Sequence, residues 1–173
     1  YGFLNIMFKI LEEEKPEYLT VAFDVSAPTF RHQMYDAYKG TRKPMLPELK
    51  EQVIFHFPVR EKTKIAVITA GGGYAMVCSF AEGFPIAKRM NELGYHAFVV
   101  NYRTGKGAAA PNPQDDLARA VSWIWQHAQE LNIDPEDYLL GGFSAGGHLA
   151  ASFGTKNVGY QHYNLPKPGG MFL

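Results

Sequence analysis

Hydrophobic and polar positions follow a regular alternation from residue 53 onward, where short apolar runs alternate with segments of helical period. Apolar runs bounded by glycine, proline or polar residues are typical of buried strands, whereas apolar side chains spaced three and four residues apart are typical of helices. The pattern predicts strands at 53–57, 64–69, 95–101, 138–142 and 170–173, and helices at 79–93, 113–131 and 144–154. This alternation indicates an α/β fold, in which a mostly parallel sheet is flanked by helices as a three-layer sandwich.

The first 52 residues follow a separate helix–strand–helix pattern. The predicted elements are a helix at 4–11, a strand at 18–23, a helix at 29–38 and a surface loop at 39–47. Pro16 ends the first helix, and the strand closes on Asp24. We therefore expect two regions, 1–52 and 53–173.

Composition and charge narrow the class of protein. The 173 residues are 46% hydrophobic and 20% charged, which supports a core and excludes a disordered chain. The net charge is zero, so the overall balance gives no reason to expect nucleic acid or an anionic membrane as a partner. The single cysteine, Cys78, excludes an internal disulfide and favours a reducing compartment. No signal peptide or bilayer-spanning run is recognisable, so we expect a cytoplasmic protein with no membrane partner.

The segment Gly142-Phe143-Ser144-Ala145-Gly146 lies between a predicted strand and a predicted helix. Gly-x-Ser-x-Gly in this setting predicts a nucleophile elbow, a sharp turn whose flanks have room only for residues without a Cβ. Ser144 would then lie at the carboxyl end of a strand, where open α/β sheets bind their ligands. A glycine-rich helix start with an incidental serine is the alternative interpretation.

A second glycine-rich segment follows the predicted strand at 64–69. A serine nucleophile needs hydrogen-bond donors for the oxyanion that forms when it attacks a carbonyl. Glycines let backbone N–H groups approach that oxygen, so we predict the amides of Gly72 and Gly73 as donors, together with the amide of Ala145 directly after the serine.

Residues 53–173 resemble the amino-terminal half of a bacterial α/β-hydrolase of the acetyl-esterase and carboxylesterase type. The motifs that carry the resemblance are Gly71-Gly72-Gly73-Tyr74, Asn101-Tyr102-Arg103, Pro113 with Asp115-Asp116-Leu117-Ala118-Arg119-Ala120, and the elbow continued to His148. The resemblance implies a serine acyl-enzyme, small acyl esters (often acetylated sugars) as substrates, and no cofactor. Ala70 stands where many relatives have His or Pro, a change that leaves the backbone donors in place.

In that fold the catalytic residues follow the order Ser, then Asp or Glu, then His. No Asp or Glu follows Ser144 in this sequence, so we expect the triad acid and base to be missing and the chain by itself to be weak or inactive. His148, four residues after the serine, is interpreted as a packing or capping residue, and His162 as a loop residue. Four acidic residues precede the serine and are interpreted as helix-start or turn residues: Asp115, Asp116, Asp134 and Asp137.

Residues 1–52 resemble part of the 5′-nuclease domain of bacterial DNA polymerase I. The matching segments are Tyr1-Gly2-Phe3-Leu4-Asn5, Ala22-Phe23-Asp24 and the run from Thr29 to Arg42. The resemblance implies that Asp24 is one carboxylate of a two-metal site and that Arg31, Lys39 and Arg42 contact phosphate. Of that family's carboxylates only Asp24 is found, and two-metal hydrolysis needs a cluster of them. We therefore do not expect DNA as a partner.

Three interpretations remain open for the whole chain. The first is a serine ester hydrolase scaffold, the second a functionless or engineered composite of two partial domains, and the third nucleic-acid binding through the first region. Half a hydrolase sheet would leave a sheet edge without its neighbour, so self-association is a further expectation.

Overall fold

The computed structural model of the protein describes residues 53–173 and, in the first region, Glu12 alone. The elements predicted for residues 1–52 lie outside the described residues. The same holds for four predicted site residues: Asp24, Arg31, Lys39 and Arg42.

Five strands form one mostly parallel sheet. The strands are β1 (Val53–Phe57), β2 (Thr63–Thr69), β3 (His96–Asn101), β4 (Ile133–Gly142) and β5 (Gly170–Phe172). Their order across the sheet is β1-β3-β2-β4-β5. Only the pairing of β1 with β3 is antiparallel, and the other three pairings are parallel. The predicted α/β fold with a mostly parallel sheet is confirmed.

Three α-helices connect the strands. They are α1 (Phe84–Glu92), α2 (Asn112–Gln126) and α3 (Ala145–Phe153). The prediction of one helix over 79–93 was wrong in detail, because a π-helical turn at Ser79–Gly83 precedes α1, whose first turn holds Pro85. Helix α2 ends at Gln126 rather than at 131, and the turns that follow it close on Asn132, which has a φ of +54°. Among the described residues, no helix has the length and apolar character needed to cross a membrane.

Strand β4 begins five residues earlier than predicted. Ile133 and Asp134 pair with β2, then the register shifts, and pairing resumes at Leu139. Asp137 has a φ of +52° within this interruption. The sequence Asp-Pro-Glu-Asp after Ile133 is typical of a turn, which is why the first pair of the strand was missed.

Helices cover both faces of the sheet. On one face Phe84 of α1 packs edge-on against Phe55 of β1, with ring centroids 5.0 Å apart. On the other face α2 and α3 bury a cluster of large side chains, each contributing ~1.5–3 kcal/mol when removed from water. Fully or almost fully buried members of that cluster are Val67, Phe98, Leu117, Val121, Ile124, Leu140, Leu149 and Phe153. The core therefore holds the end of β4 and the start of α3 in place.

Candidate active site

The segment between β4 and α3 forms a sharp turn with Ser144 at its tip. Ser144 has φ +51° and ψ −122°, a backbone conformation that L-residues rarely adopt, and its side chain is exposed. The turn is held on both sides, since Phe143 N–H donates to Thr69 O at 3.2 Å and His148 N–H donates to Ser144 O at 3.0 Å. This geometry is that of the predicted elbow, with the serine lifted out of the surrounding packing.

The two glycines that flank the elbow have no space for a side chain. A Cβ on Gly146 would lie 2.1 Å from Thr69 O, and a Cβ on Gly142 would lie 2.5 Å from Thr69 Oγ1. The buried Thr69 hydroxyl also bonds Gly146 O at 2.9 Å. The end of β2 therefore packs directly against the elbow, which requires glycine at both positions.

Residues 71–73, which we call the glycine loop, follow β2 and have two carbonyl groups held by hydrogen bonds. Gly71 O accepts from Cys78 N–H at 2.8 Å, and Gly72 O accepts from Ala75 N–H at 3.1 Å. In a trans peptide the N–H points opposite to the C=O of the same plane. These bonds therefore fix the directions of the Gly72 and Gly73 N–H groups.

Two tyrosines support the glycine loop from either end. Tyr102, almost fully buried, donates its hydroxyl to Ala70 O at 2.7 Å, and burial raises the pKa of that hydroxyl. Tyr74 has a φ of +58° and accepts a hydrogen bond from Gly105 N–H at its carbonyl, at 2.7 Å. The Tyr102 side chain thus holds the backbone of residue 70 in place. This bond involves the Ala70 carbonyl, so it does not depend on which side chain stands at that position.

Glu82, in the turn before α1, is a site residue that the sequence analysis missed. Its Oε2 accepts a hydrogen bond from Gly71 N–H at 2.7 Å. A Cβ on Gly71 would lie 2.6 Å from that oxygen and 2.9 Å from the Cβ of Ser144. The glycine loop is therefore in close contact with the elbow, and the nearby carboxylate occupies the Gly71 amide.

The remaining amides near Ser144 are available to a ligand. Within residues 53–173, the N–H groups of Gly72, Gly73 and Ala145 donate to no protein acceptor. Donors of this kind stabilise an oxyanion in the transition state, and the loss of one typically costs ~2.7–4 kcal/mol. Ala145 directly follows Ser144, and Gly72 and Gly73 follow Gly71, whose Cβ position lies 2.9 Å from the Cβ of Ser144. The role of the three amides as donors stays a prediction.

The Ser144 hydroxyl has no hydrogen-bonded base among residues 53–173. His148 points to a different partner, since its Nδ1 lies 2.8 Å from Tyr74 Oη. Burial raises the pKa of Tyr74, so its side chain stays a protonated hydroxyl in this contact. His162 is exposed and packs edge-on against Tyr163, with ring centroids 5.0 Å apart. Neither histidine forms a hydrogen bond with the Ser144 hydroxyl.

The interpretation of Asp116 as a simple helix-start residue was wrong. Its buried carboxylate accepts hydrogen bonds from Arg103 N at 2.8 Å and from Arg103 Nε at 2.9 Å, and it forms an ion pair with Arg103 Nη2 at 2.9 Å. Charge-assisted bonds in a buried setting are stronger than exposed ones. Asp116 therefore ties the loop after β3 to α2, beside the glycine loop.

Of the other three acidic residues, Asp115 lies in the first turn of α2 as predicted, whereas Asp134 and Asp137 lie within β4, the first directly before its register shift and the second inside it, rather than in a separate turn. Asp115 accepts a hydrogen bond from Tyr163 Oη at 2.8 Å, and burial together with that bond raises the pKa of Tyr163 to about 12. Asp134 forms an exposed ion pair with Lys64 at 2.9 Å. Its carboxylate also accepts a hydrogen bond from the Glu136 N–H, a local contact that is common in turns. Asp115 and Asp134 therefore each have a structural contact of their own.

Comparison with sequence families gives two matches. The BD-FAE family model matches residues 54–164. The model of the 5′-3′ exonuclease N-terminal, resolvase-like domain matches residues 1–75. The matches overlap, so they do not locate the boundary predicted near residue 52, which stays a prediction. They confirm that the chain is a composite.

Three similar proteins illustrate both parts. An acetylxylan esterase of Xylanibacter ruminicola is 34% identical over 106 residues, which are 61% of this chain and 22% of the esterase. DNA polymerase I of Bacillus subtilis is 51% identical over 55 residues, which are 32% of this chain and 6% of the polymerase. The crystal structure of MGS-M1, an α/β-hydrolase enzyme from a Medee basin deep-sea metagenome library, matches with a TM-score of 0.61 and 26% identity. That match covers 75% of this chain and 52% of the hydrolase. The chain therefore spans only part of the length of each of these proteins.

Proposed function

This chain belongs to the BD-FAE family through residues 54–164, and on that premise we propose that Ser144 is the nucleophile of its esterase-type α/β-hydrolase scaffold. The observation that carries the proposal is the backbone of Ser144, which has φ +51° and an exposed side chain on a turn between strand and helix. Holding a residue in this conformation costs free energy, and such strain concentrates at active sites. The adjacent glycine loop supports the same assignment.

The proposed chemistry begins with attack by Ser144 Oγ on the carbonyl carbon of a small acyl ester. The carbonyl oxygen becomes an oxyanion, which accepts hydrogen bonds from Gly72, Gly73 and Ala145. Collapse of this intermediate expels the alcohol and leaves an acyl-serine, which water then hydrolyses. The three N–H groups have fixed directions before substrate binds, because the bonds at Gly71 O and Gly72 O hold the peptide planes of Gly72 and Gly73, and the bond from His148 N–H to Ser144 O holds that of Ala145.

We expect this 173-residue chain by itself to show little or no turnover. The proton of Ser144 would pass to solvent, because no side chain among residues 53–173 accepts it. Removing triad members from a serine hydrolase leaves mainly the contribution of the oxyanion donors and of binding, ~10³–10⁴-fold over water. The site should therefore acylate slowly and release its acyl group more slowly still.

Incubation with p-nitrophenyl acetate tests both statements. We expect slow release of p-nitrophenol and one acetyl adduct on Ser144 by peptide mass spectrometry, both lost in Ser144→Ala. Ser122→Ala, on α2 and outside the pocket that His148 and Ser152 line beside the elbow, is the matched control and should behave as the wild type. Absence of an adduct on Ser144 would refute its role as nucleophile. Rapid turnover that disappears in Ser144→Ala would instead refute the expectation of low activity.

A second candidate function rests on the first region. The identity to DNA polymerase I over 55 residues supports descent from its nuclease domain, and by resemblance Arg31, Lys39 and Arg42 would contact phosphate. Electrostatic binding to DNA weakens steeply with salt. Affinity for duplex DNA at low salt that falls in Arg31→Ala and Arg42→Ala would support this function, and absence of binding at low salt would exclude it.

A chain with neither activity and ordinary cooperative unfolding would favour the functionless composite.

The location of the chain in the cell and its self-association remain predictions. The cytoplasmic location rests on the single cysteine and is tested by fractionation of cells that express the chain. Self-association rests on the partial sheet and is tested by sedimentation at high protein concentration. A monomer under those conditions would contradict it.

A further inference from the structure

One side-chain hydrogen bond connects the end of the glycine loop to the helix that follows Ser144. Tyr74 comes directly after Gly73, and His148 lies one helical turn after Ser144. The Tyr74 Oη lies 2.8 Å from the His148 Nδ1. The backbone N–H of His148 also donates to Ser144 O at 3.0 Å. His148 therefore contacts the elbow through its main chain and the end of the glycine loop through its side chain.

The other hydrogen bonds around the glycine loop act within it or toward other parts of the fold. The bonds at the loop carbonyls set its internal shape, and further contacts hold it toward α1 and toward the loop after β3. Within residues 53–173, the bond between Tyr74 and His148 is the one hydrogen bond found between segment 71–78 and segment 143–153. This bond is therefore the direct polar link between the glycine loop and the helix that carries the elbow.

The backbone of Tyr74 has a conformation that must be held by its surroundings. Its φ of +58° lies in the left-handed region, which costs free energy for a residue with a Cβ. Its carbonyl accepts from Gly105 N–H at 2.7 Å. Its ring packs edge-on against Tyr102 and against His148, with centroids 5.8 and 5.9 Å apart. Contacts at the carbonyl, the ring and the hydroxyl thus hold Tyr74 in a conformation that a free loop would avoid.

The direction of the hydrogen bond follows from the protons of the two side chains. Burial raises the pKa of the Tyr74 hydroxyl, which therefore keeps a proton that needs an acceptor. In the described part of the chain, His148 Nδ1 is the only acceptor bonded to it. A neutral imidazole accepts at one nitrogen and donates from the other, so donation by Tyr74 places the His148 proton on Nε2. The contact thus satisfies the Tyr74 hydroxyl and sets the tautomer of His148.

We propose that the bond between Tyr74 and His148 is a positioning contact that holds the Gly73 N–H in place relative to Ser144. This inference rests on the proposed function, in which that N–H donates to the oxyanion. Oxyanion donors act when they lie ~2.7–3.1 Å from the oxygen that gains charge, so a small displacement of the loop removes much of their effect. Tyr74 and His148 touch no reacting atom and act through the backbone next to them. In this proposal His148 is more than the packing or capping residue expected from the sequence.

Acylation of Ser144 by p-nitrophenyl acetate measures the effect. Tyr74→Phe keeps the ring and removes the hydroxyl, and we expect the acylation rate constant to fall at least about tenfold. His148→Ala removes the acceptor and should lower the rate by a similar factor. His148→Asn keeps a carbonyl acceptor at the same number of bonds from the backbone as Nδ1, and its rate should stay within about threefold of the wild type. Tyr95→Phe, directly before β3 and at the opposite end of that strand from the site, is the matched control and should equal the wild type.

Two measurements separate positioning from a loss of stability. Urea unfolding shows which variants are fully folded under the assay conditions, and the rates are compared among those variants. The double variant of Tyr74→Phe and His148→Ala should react about as fast as the slower single variant, because both substitutions remove the same bond. Losses that multiply in the double variant would overturn the proposal. An unchanged rate in Tyr74→Phe, while Ser144 is still acylated, would overturn it as well.

Nuclear magnetic resonance gives a measurement that needs no acylation. In mildly alkaline buffer we expect the imidazole nitrogen spectrum of the full chain to show the His148 proton on Nε2. The heteronuclear NOE of the Gly73 amide should fall in Tyr74→Phe but not in Tyr95→Phe. If the NOE falls while the wild type forms no adduct on Ser144, the nucleophile is refuted and the positioning contact is supported. If an adduct forms but neither the rate nor the NOE responds to Tyr74→Phe, the nucleophile is supported and the positioning contact is refuted.

Discussion

The carboxylate of Glu82 and the backbone N–H of Gly71 are joined by a 2.7 Å hydrogen bond that links the turn before α1 to the glycine loop. The bond removes the Gly71 amide from the set of donors that could reach a substrate. It also restrains the peptide plane that precedes the proposed donors Gly72 and Gly73. A contact between residues 82 and 71 thus contributes to the order of the candidate site.

Replacing Glu82 should separate the effect of this bond from that of the charge. Glu82→Ala leaves the N–H of the buried Gly71 without its acceptor, and we expect the free energy of unfolding to fall by ~1–3 kcal/mol. Glu82→Gln keeps an acceptor oxygen and should lose less. Urea unfolding measures both variants, and the Gly71 amide proton resonance should move upfield only in Glu82→Ala. Equal stability of the two variants would contradict a role for the hydrogen bond.

Because the backbone of Ser144 is strained, we expect that replacing it by glycine raises the free energy of unfolding while acylation is lost. Glycine adopts positive φ without a Cβ clash, so Ser144→Gly should raise the free energy of unfolding by up to about 1 kcal/mol. Ser144→Ala keeps the Cβ and should match the wild type in stability. Both variants lose the nucleophile. If chemical denaturation finds Ser144→Gly less stable than Ser144→Ala, the strain assigned to this position is absent.

The buried ion pair of Asp116 should matter far more to stability than the exposed pair of Asp134. Asp116→Ala removes the buried acceptor of several Arg103 bonds, and because the Arg103 side chain is 31% exposed we expect a loss of ~1.5–3 kcal/mol, below that of a fully buried pair. Asp134→Ala breaks an exposed contact with Lys64 and should change little, because water screens that pair. Thermal and urea unfolding of the two variants compare the sites directly. Similar losses in both would show that Arg103 is not held mainly by Asp116.

The contact between His56 and His96 predicts a loss of stability in mild acid. Burial, with repulsion from His96, lowers the pKa of His56 to about 4, and its Nε2 lies 3.2 Å from His96 Nδ1. The other nitrogen of His96, Nε2, bonds Glu61 O at 2.9 Å, and His56 stacks on Phe98 at 4.3 Å. Burial and the neighbouring His96 ring therefore favour the neutral form of His56.

The sign of the pH effect follows from the lowered pKa. The unfolded chain binds a proton at His56 below pH ~6.5, whereas the folded chain resists it until about pH 4. The contribution of His56 is therefore intact above pH ~6.5 and is lost as the pH falls toward 4, by ~1–2 kcal/mol after allowance for partial exposure. Urea unfolding between pH 7 and 4 measures this slope. His56→Phe keeps the stacking on Phe98 and should make the free energy of unfolding less dependent on pH. An unchanged dependence in this variant would mean that other groups cause the effect.

Local patterns were sufficient to predict the elements that frame the candidate site. The elbow and the glycine loop each depend on glycines at fixed positions next to an apolar run, and such runs are visible in the sequence. The clash distances at Gly142 and Gly146 give the physical reason, since both face the end of β2. The α/β fold could also be predicted from local patterns, because each strand and each helix buries a set of side chains that recurs at the period of that element.

Contacts between distant segments could not be predicted in this way. Glu82 reaches a backbone amide rather than a partner side chain, so no residue pair in the sequence indicates the contact. Asp116 lies where helix-start acids are common, and its pairing with Arg103 depends on how the loop after β3 folds back. His56 and His96 meet only because β1 pairs antiparallel with β3, a direction that the apolar pattern of β1 does not specify.

The carbonyl bonds at Gly71 and Gly72 have a consequence for protein engineering. They lie between residues 71 and 78, so the amides they orient depend on one contiguous piece of chain rather than on a bound molecule. A general base introduced near Ser144, for example by varying residues that surround the helix start, would meet polar groups already aimed in fixed directions. Such an addition measures how much of the proposed acylation of Ser144 depends on the fixed backbone amides and how much on a general base.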